Sequence, residues 1–184
     1  QIKGFQSNIF TGTGFVLSNA GEQSTKGIEV DAMWLPTEAW KLTFASTWLD
    51  PKYDSFVGGE GVDGPEDLSG TTPAGIHKLT IDTSATYYFP LGSTESFVRA
   101  EYIYADKIQV IENVPADIAS AKISTFNASL GFGWSNGLEL ILWGRNLFND
   151  EWLLSAFPAT AQPGSYSGYP NQPRTYGATL RWNF

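Results

Sequence analysis

The sequence predicts an all-β fold, an antiparallel barrel whose strands cross a membrane, and three observations carry that expectation. Apolar and polar residues alternate with period two in one segment after another. The charged residues of those segments all fall on one of the two faces so defined. The connections between segments alternate between short and long.

Composition points the same way. Aromatic residues make up 15% of the chain, yet mean hydropathy is only -0.17. Apolar side chains are therefore scattered singly among polar ones, as in a barrel wall. No apolar run reaches the roughly 18 residues that a membrane-crossing helix needs. Residue 1 opens no basic-then-apolar leader, so an exported chain is expected to be a fragment of something longer. A net charge of -8, from 19 acidic and 11 basic residues, disfavours a nucleic-acid surface. The absence of cysteine removes disulfides and thiolate metal sites together.

Taken in order, a first strand is expected within Ile2–Asn19, its phase undefined. In the next, Ile28, Val30, Ala32 and Trp34 alternate with Glu29, Asp31 and Met33. Trp40, Leu42, Phe44, Ser46 and Trp48 then face away from Lys41, Thr43, Ala45, Thr47 and Leu49. Leu79, Ile81, Thr83, Ala85, Tyr87 and Phe89 oppose Lys78, Thr80, Asp82, Ser84, Thr86 and Tyr88. Val98, Ala100, Tyr102 and Tyr104 oppose Phe97, Arg99, Glu101 and Ile103. Phe126, Ala128, Leu130, Phe132 and Trp134 oppose Thr125, Asn127, Ser129, Gly131 and Gly133. Leu138, Leu140 and Leu142 alternate with Glu139, Ile141 and Trp143. The last segment sets Tyr176, Ala178, Leu180, Trp182 and Phe184 against Thr175, Gly177, Thr179, Arg181 and Asn183.

The more apolar faces carry no charge; the others hold Glu29, Asp31, Lys41, Lys78, Asp82, Arg99, Glu101, Glu139 and Arg181. A charge turned toward hydrocarbon at the midplane of a barrel costs about 2–4 kcal/mol, which enforces such a division. One face is expected to meet outer-membrane lipid and the other a wet lumen.

Short links are expected at Pro36–Glu38, Pro90–Thr94 and Ser135–Asn136. Longer ones are expected at Ala20–Thr25, Tyr53–Gly75, Lys107–Ala121 and Asn149–Gln172. Outer-membrane barrels have short periplasmic turns and long external loops, whereas a soluble sandwich has no reason to sort its loops by parity. Trp34, Trp40, Phe89, Trp134, Trp182 and Phe184 lie at the short-turn ends, and Trp48, Tyr102, Tyr104, Phe126 and Tyr176 near the long-loop ends. Those are the levels at which interfacial aromatic girdles sit.

Three stretches then resemble a known family. The ending RTYGATLRWNF, with Tyr176, Leu180, Trp182 and Phe184, resembles the C-terminal signal read by the barrel-assembly machinery. GRNLFNDEW, from Gly144 to Trp152, resembles the penultimate-strand segment of TonB-dependent receptors, and Gly168-Tyr169-Pro170 and Gln172-Pro173-Arg174 follow it as in that family. Asn19-Ala20-Gly21 with Lys26-Gly27-Ile28-Glu29-Val30-Asp31 resembles an earlier strand pair. The resemblance implies that residues 1–184 are the C-terminal part of a barrel of about 22 strands, roughly its last eight, with plug domain and N-terminal strands absent. It further implies a bacterial outer-membrane location, coupling to TonB through the missing plug, and uptake of a scarce ligand, foremost a ferric siderophore.

Few residues invite chemistry. The lumen-facing Lys78, Asp82, Arg99 and Glu101 suit a substrate path or plug contact, but a salt-bridge lattice is the more economical reading. The acidic loop from Asp50 to Asp67 has no calcium-loop spacing, and Gly58-Gly59-Glu60-Gly61 opens no helix that would bind phosphate. His77 stands alone as a potential base or ligand. Trp152, Phe157, Tyr166 and Tyr169, in the last long loop, are candidate ligand contacts, with packing against neighbouring loops as the alternative. No catalytic group, cofactor or metal is expected. Two other functional classes stand beside the receptor: a complete eight-stranded barrel serving as anchor or adhesin, and an outer-membrane enzyme, for which His77 has no evident partner.

Overall fold

The computed structural model describes the backbone of residues 1–10, 15–159 and 161–184, and side chains outside residues 7–20 and 160. Twelve strands are present among them: β1 (Ile2–Phe10), β2 (Phe15–Thr37), β3 (Trp40–Ser55), β4 (Gly59–Gly61), β5 (Gly64–Glu66), β6 (Leu79–Leu91), β7 (Thr94–Gln109), β8 (Ser120–Gly133), β9 (Leu138–Arg145), β10 (Leu153–Pro158), β11 (Tyr166–Pro170) and β12 (Thr175–Trp182). Eight form one antiparallel sheet in the order β1-β2-β3-β6-β7-β8-β9-β12, while β4-β5 and β10-β11 are small separate hairpins.

The expected faces are present. Trp34, Phe44, Trp48, Val98, Leu142, Tyr176, Leu180 and Trp182 are exposed along one side of the sheet instead of converging into a sealed centre. The opposite side is polar: Ser84 and Thr86 are buried there, and Thr43 Oγ1 and Ser84 Oγ lie 2.6 Å apart across β3 and β6. The turns joining β2–β3, β6–β7 and β8–β9 are short, and the long connections all lie at the other end of the sheet.

One expected link is a strand. Ala20–Thr25 lies inside β2, which runs for 23 residues. Gly21 carries a φ of 90° where β1 slips register, and a Cβ there would stand 2.2 Å from the Ser55 carbonyl oxygen. The Ala-Gly pair that reads as a turn is therefore a bulge at a close three-strand approach. The expected first strand is β1, although residues 11–14 of that stretch lie outside the described residues.

Register fixes the height of β1. Ile2 is opposite Gln23, and Gln23 is opposite Tyr53, five positions beyond Trp48 of the external girdle. At about 3.3 Å per residue, β1 starts roughly 16 Å beyond that girdle. It therefore extends the β2–β3 ribbon outward, whereas β12 pairs with β9 down to Trp182 opposite Leu138. β1 and β12 are the two edges of the sheet. The eight strands do not close on one another, which sets aside the small complete barrel.

Candidate functional site

On the lumenal wall, Arg99 and Glu101 are neighbours on one face of β7. Arg99 Nη2 donates to Glu101 Oε1 at 2.8 Å, and Asn127 Nδ2 of β8 donates to Glu101 Oε2 at 2.9 Å. Arg181 lies directly opposite Glu139 in the β9–β12 register and donates to its Oε2 at 2.8 Å. Both pairs are partly solvated, so each contributes little stability and mainly keeps its charges satisfied. Of the four expected lumenal charges, Arg99 and Glu101 form an ion pair, and Asp82 lies within electrostatic reach of both. Asp82 sits between Ala45 and Ile103, and Lys78 lies at the entry to β6, neither in an ion pair among the described residues.

Two lumenal residues escape the sequence reading as a site. β9 runs on to Arg145, two positions past Trp143 and with the same parity. The Arg145 guanidinium stands 5.1 Å from the Trp143 ring centroid, within reach of a cation–π contact. The indole lies on Gly177 of β12, where a Cβ would come within 2.2 Å of Trp143 Cζ2. Trp143 Nε1 donates to Thr179 Oγ1 at 3.3 Å. Carrying the alternation one step beyond Trp143 would have placed Arg145 in the lumen.

The external loops form a packed rim. Val114, Ala119 and Ala156 are buried together, with Val110, Ile111 and Leu153 against them, so the β10–β11 hairpin leans on the connection after β7. Tyr53, Phe56 and Leu68 form a second cluster, with Phe5 packed on it. Glu112 ties the two regions: its Oε1 accepts from Tyr53 Oη at 2.7 Å and from the Ala74 amide at 3.0 Å. Burial first, then the hydrogen bond and the negative charge of Glu112, push the Tyr53 phenol well above its ordinary range. His77 Nδ1 lies 2.6 Å from the Asp106 carbonyl oxygen, so His77 closes the seam between β6 and β7.

The neck of the last loop is made of asparagines. Asn146, buried and with a φ of 50°, donates through Nδ2 to the Asp150 and Gln172 carbonyls and accepts the Asp150 amide on Oδ1. Asn171 donates to the Asp150 carbonyl and accepts the Trp152 amide. Asn149 Oδ1 accepts the Arg174 amide. Asparagine tolerates this left-handed backbone better than other side chains do. Above the neck, Phe157 and Tyr169 face each other at 5.9 Å, and Tyr166 pairs with Pro158 at the hairpin's end. All three are exposed, whereas Trp152 is half-buried at the neck. The expected aromatic set thus splits into three residues on the hairpin and one beneath it.

The comparisons agree with this architecture. No curated protein sequence matches the chain. The ferric yersiniabactin uptake receptor FyuA of Yersinia pestis superposes with a TM-score of 0.72 at 16% identity, over 92% of this chain and 25% of that one. BauA, the ferric preacinetobactin receptor of Acinetobacter baumannii, gives 0.64 at 18% identity, over 95% and 25%. The ferric-catecholate import receptor Fiu of E. coli K12 gives 0.61 at 18% identity, over 97% and 23%. At these identities the likeness is one of fold, and the chain spans about a quarter of each solved receptor. The family model described as TonB dependent receptor-like, beta-barrel, matches residues 1–147. With an apolar outer face, a charged lumen and loops gathered at one end, the chain belongs to the TonB-dependent receptor β-barrel family.

Proposed function

We propose that this chain supplies the last strands of a larger barrel that imports a scarce ligand, foremost a ferric siderophore, across the bacterial outer membrane. The observation that carries the reading is the family match of an open, two-faced sheet whose fold neighbours are receptors for ferric chelates. A bilayer leaves no water for unpaired backbone groups, so the edges at β12 and along residues 24–37 of β2 call for further strands. Energy enters through TonB acting on a plug domain outside this chain. Phe157, Tyr166 and Tyr169 are the external ligand contacts, and Trp152 holds the base of their hairpin. Tyr176, Leu180, Trp182 and Phe184, exposed along the last strand, serve the barrel-assembly machinery. The lumenal Lys78, Asp82, Arg99 and Glu101 keep the inner wall hydrated. The ligand passes through chemically unchanged.

The test is uptake by the full-length receptor in iron-restricted cells, with and without TonB. Saturable, TonB-dependent accumulation of radioiron from a ferric siderophore is the expected result. Binding of a glycan with no binding of ferric chelates would overturn the ligand assignment.

A further inference from the structure

We propose that the short turn between β8 and β9, Trp134 to Gly137, is a seat that captures the periplasmic end of β12 and so sets that strand's register as the wall assembles. The device lies within the chain and does not depend on the cargo.

Parity alone leaves the register of β12 open. A slip of one residue would turn every side chain to the wrong face, but a slip of two keeps Tyr176, Leu180 and Trp182 toward lipid. Tight turns settle the matter for β2–β3, β6–β7 and β8–β9. β9 and β12 are joined instead through residues 146–174, at the external end. The asparagine neck holds that upper end through Gln172 and Arg174. Lower down, the exposed Arg181–Glu139 pair contributes little.

The turn supplies what is missing. Trp182 lies opposite Leu138, its Nε1 donates to the Asn136 carbonyl at 3.2 Å, and the Asn183 amide donates to the Gly137 carbonyl at 2.9 Å. The seat is shaped by its own bonds: the Trp134 amide donates to the Leu138 carbonyl at 2.8 Å, and the Leu138 amide to Asn136 Oδ1 at 3.1 Å. Asn136 thus uses its side chain on the turn and its carbonyl on Trp182.

Two glycines show that the fit is specific. Gly137 has a φ of 82°, and a β-carbon there would overlap the Asn183 carbonyl oxygen. Gly92, in the β6–β7 turn, has a φ of 63° but open space where its β-carbon would stand. Gly92 therefore serves the backbone alone, whereas Gly137 also admits the end of β12. A two-residue slip would move the Trp182 indole about 7 Å from Asn136. It would also put Thr175 or Thr179 in place of Gly177, where the Trp143 ring leaves no room for a β-carbon. Seat and ring together reject the slips that parity permits.

The experiment folds the full-length receptor from urea into liposomes without assembly machinery, so that Trp182 is tested for its contact within the chain. Leu142→Cys with Ala178→Cys, directly opposite each other, reports arrival in register by disulfide formation. In that background Gly137→Ala should lengthen the half-time of bridging about fivefold or more, the weight of one or two hydrogen bonds. Gly92→Ala should stay within about twofold of the parent. Trp182→Phe, which keeps a ring in the girdle and loses the donor, should slow bridging about threefold or more. Equal slowing by the two glycine variants would reduce Gly137 to a turn residue and overturn the seat. Bridging at the parent rate in Trp182→Phe also overturns it, and that variant decides alone if Gly137→Ala yields no folded receptor. A receptor that shows the expected rates yet takes up no ferric chelate would overturn the proposed cargo and leave the seat standing.

Discussion

The membrane-crossing wall and the external rim are held together in different ways. In the wall, large apolar side chains such as Trp34, Phe44 and Leu142 stay exposed, and order comes from the strand ladder and its two-faced pattern. The rim behaves like a small soluble protein, with Val114 and Ala119 fully buried and a second cluster around Tyr53, Phe56 and Leu68. The wall therefore depends on its solvent, the bilayer, while the rim depends on its own packing. A substitution should have opposite consequences in the two places: in the wall the face decides, and in the rim the contact decides.

The largest expected effect breaks the wall's rule at one spot. Phe44 lies midway between the girdle residues Trp40 and Trp48 and points outward, while Ala45 points into the lumen opposite Asp31 and Asp82. Phe44→Arg should cost about 2–4 kcal/mol of folding stability in liposomes. Ala45→Arg, placed between two carboxylates, should change it by less than about 1 kcal/mol. Equal losses in urea titrations of the full-length receptor would remove the distinction between faces.

Next comes the neck of the last loop. Asn146→Ala removes hydrogen bonds to Asp150 and Gln172 and leaves a β-carbon at a φ of 50°. Stranded buried polar groups cost about 1–3 kcal/mol, and here the loss should stay local. Limited proteolysis should cut within residues 147–173 while the strands remain protected. Cleavage or unfolding of the whole sheet would show that rim and wall are one cooperative unit.

This contrast also explains what could be read from the sequence. Facing is a local property, since a lipid-exposed arginine is costly wherever it falls, so the parity of Lys41, Asp82, Arg99 and Arg181 was visible from spacing alone. The rim was not legible because its contacts join distant segments: Val114 meets Ala156, and Glu112 meets Tyr53. β4–β5 and β10–β11 were hidden inside stretches whose glycines and prolines read as loop. Gly21 misled for the same reason, because a turn and a bulge both demand a positive φ. Arg145 shares the parity of Trp143, but Gly144 between them opens the family-like segment and masks the alternation there.

The smallest effects concern pH and sharpen the comparison at the rim, where the titrating groups lie outside the bilayer. Tyr53→Phe removes one hydrogen bond to Glu112 and keeps the ring packed on Phe56, so a loss of about 1–2 kcal/mol in rim stability is expected. Because the Tyr53 phenol is held above its ordinary value of 10.0, the unfolded rim ionises first. The stabilisation is therefore complete below about pH 10 and falls as pH rises beyond it. Asp67 has the opposite sign: hydrogen bonds from the Ser69 hydroxyl and amide hold its carboxyl below 3.8, so that contribution is present above this value and is lost as pH falls through the lowered one. Hydrogen exchange of the Leu68–Thr71 amides should be flat from pH 5 to 9 once corrected for intrinsic rates, and should quicken on either side. In Tyr53→Phe the alkaline limb should disappear and the acid limb remain. Survival of the alkaline limb in that variant would mean that another group, and not the Tyr53–Glu112 bond, joins the two loops.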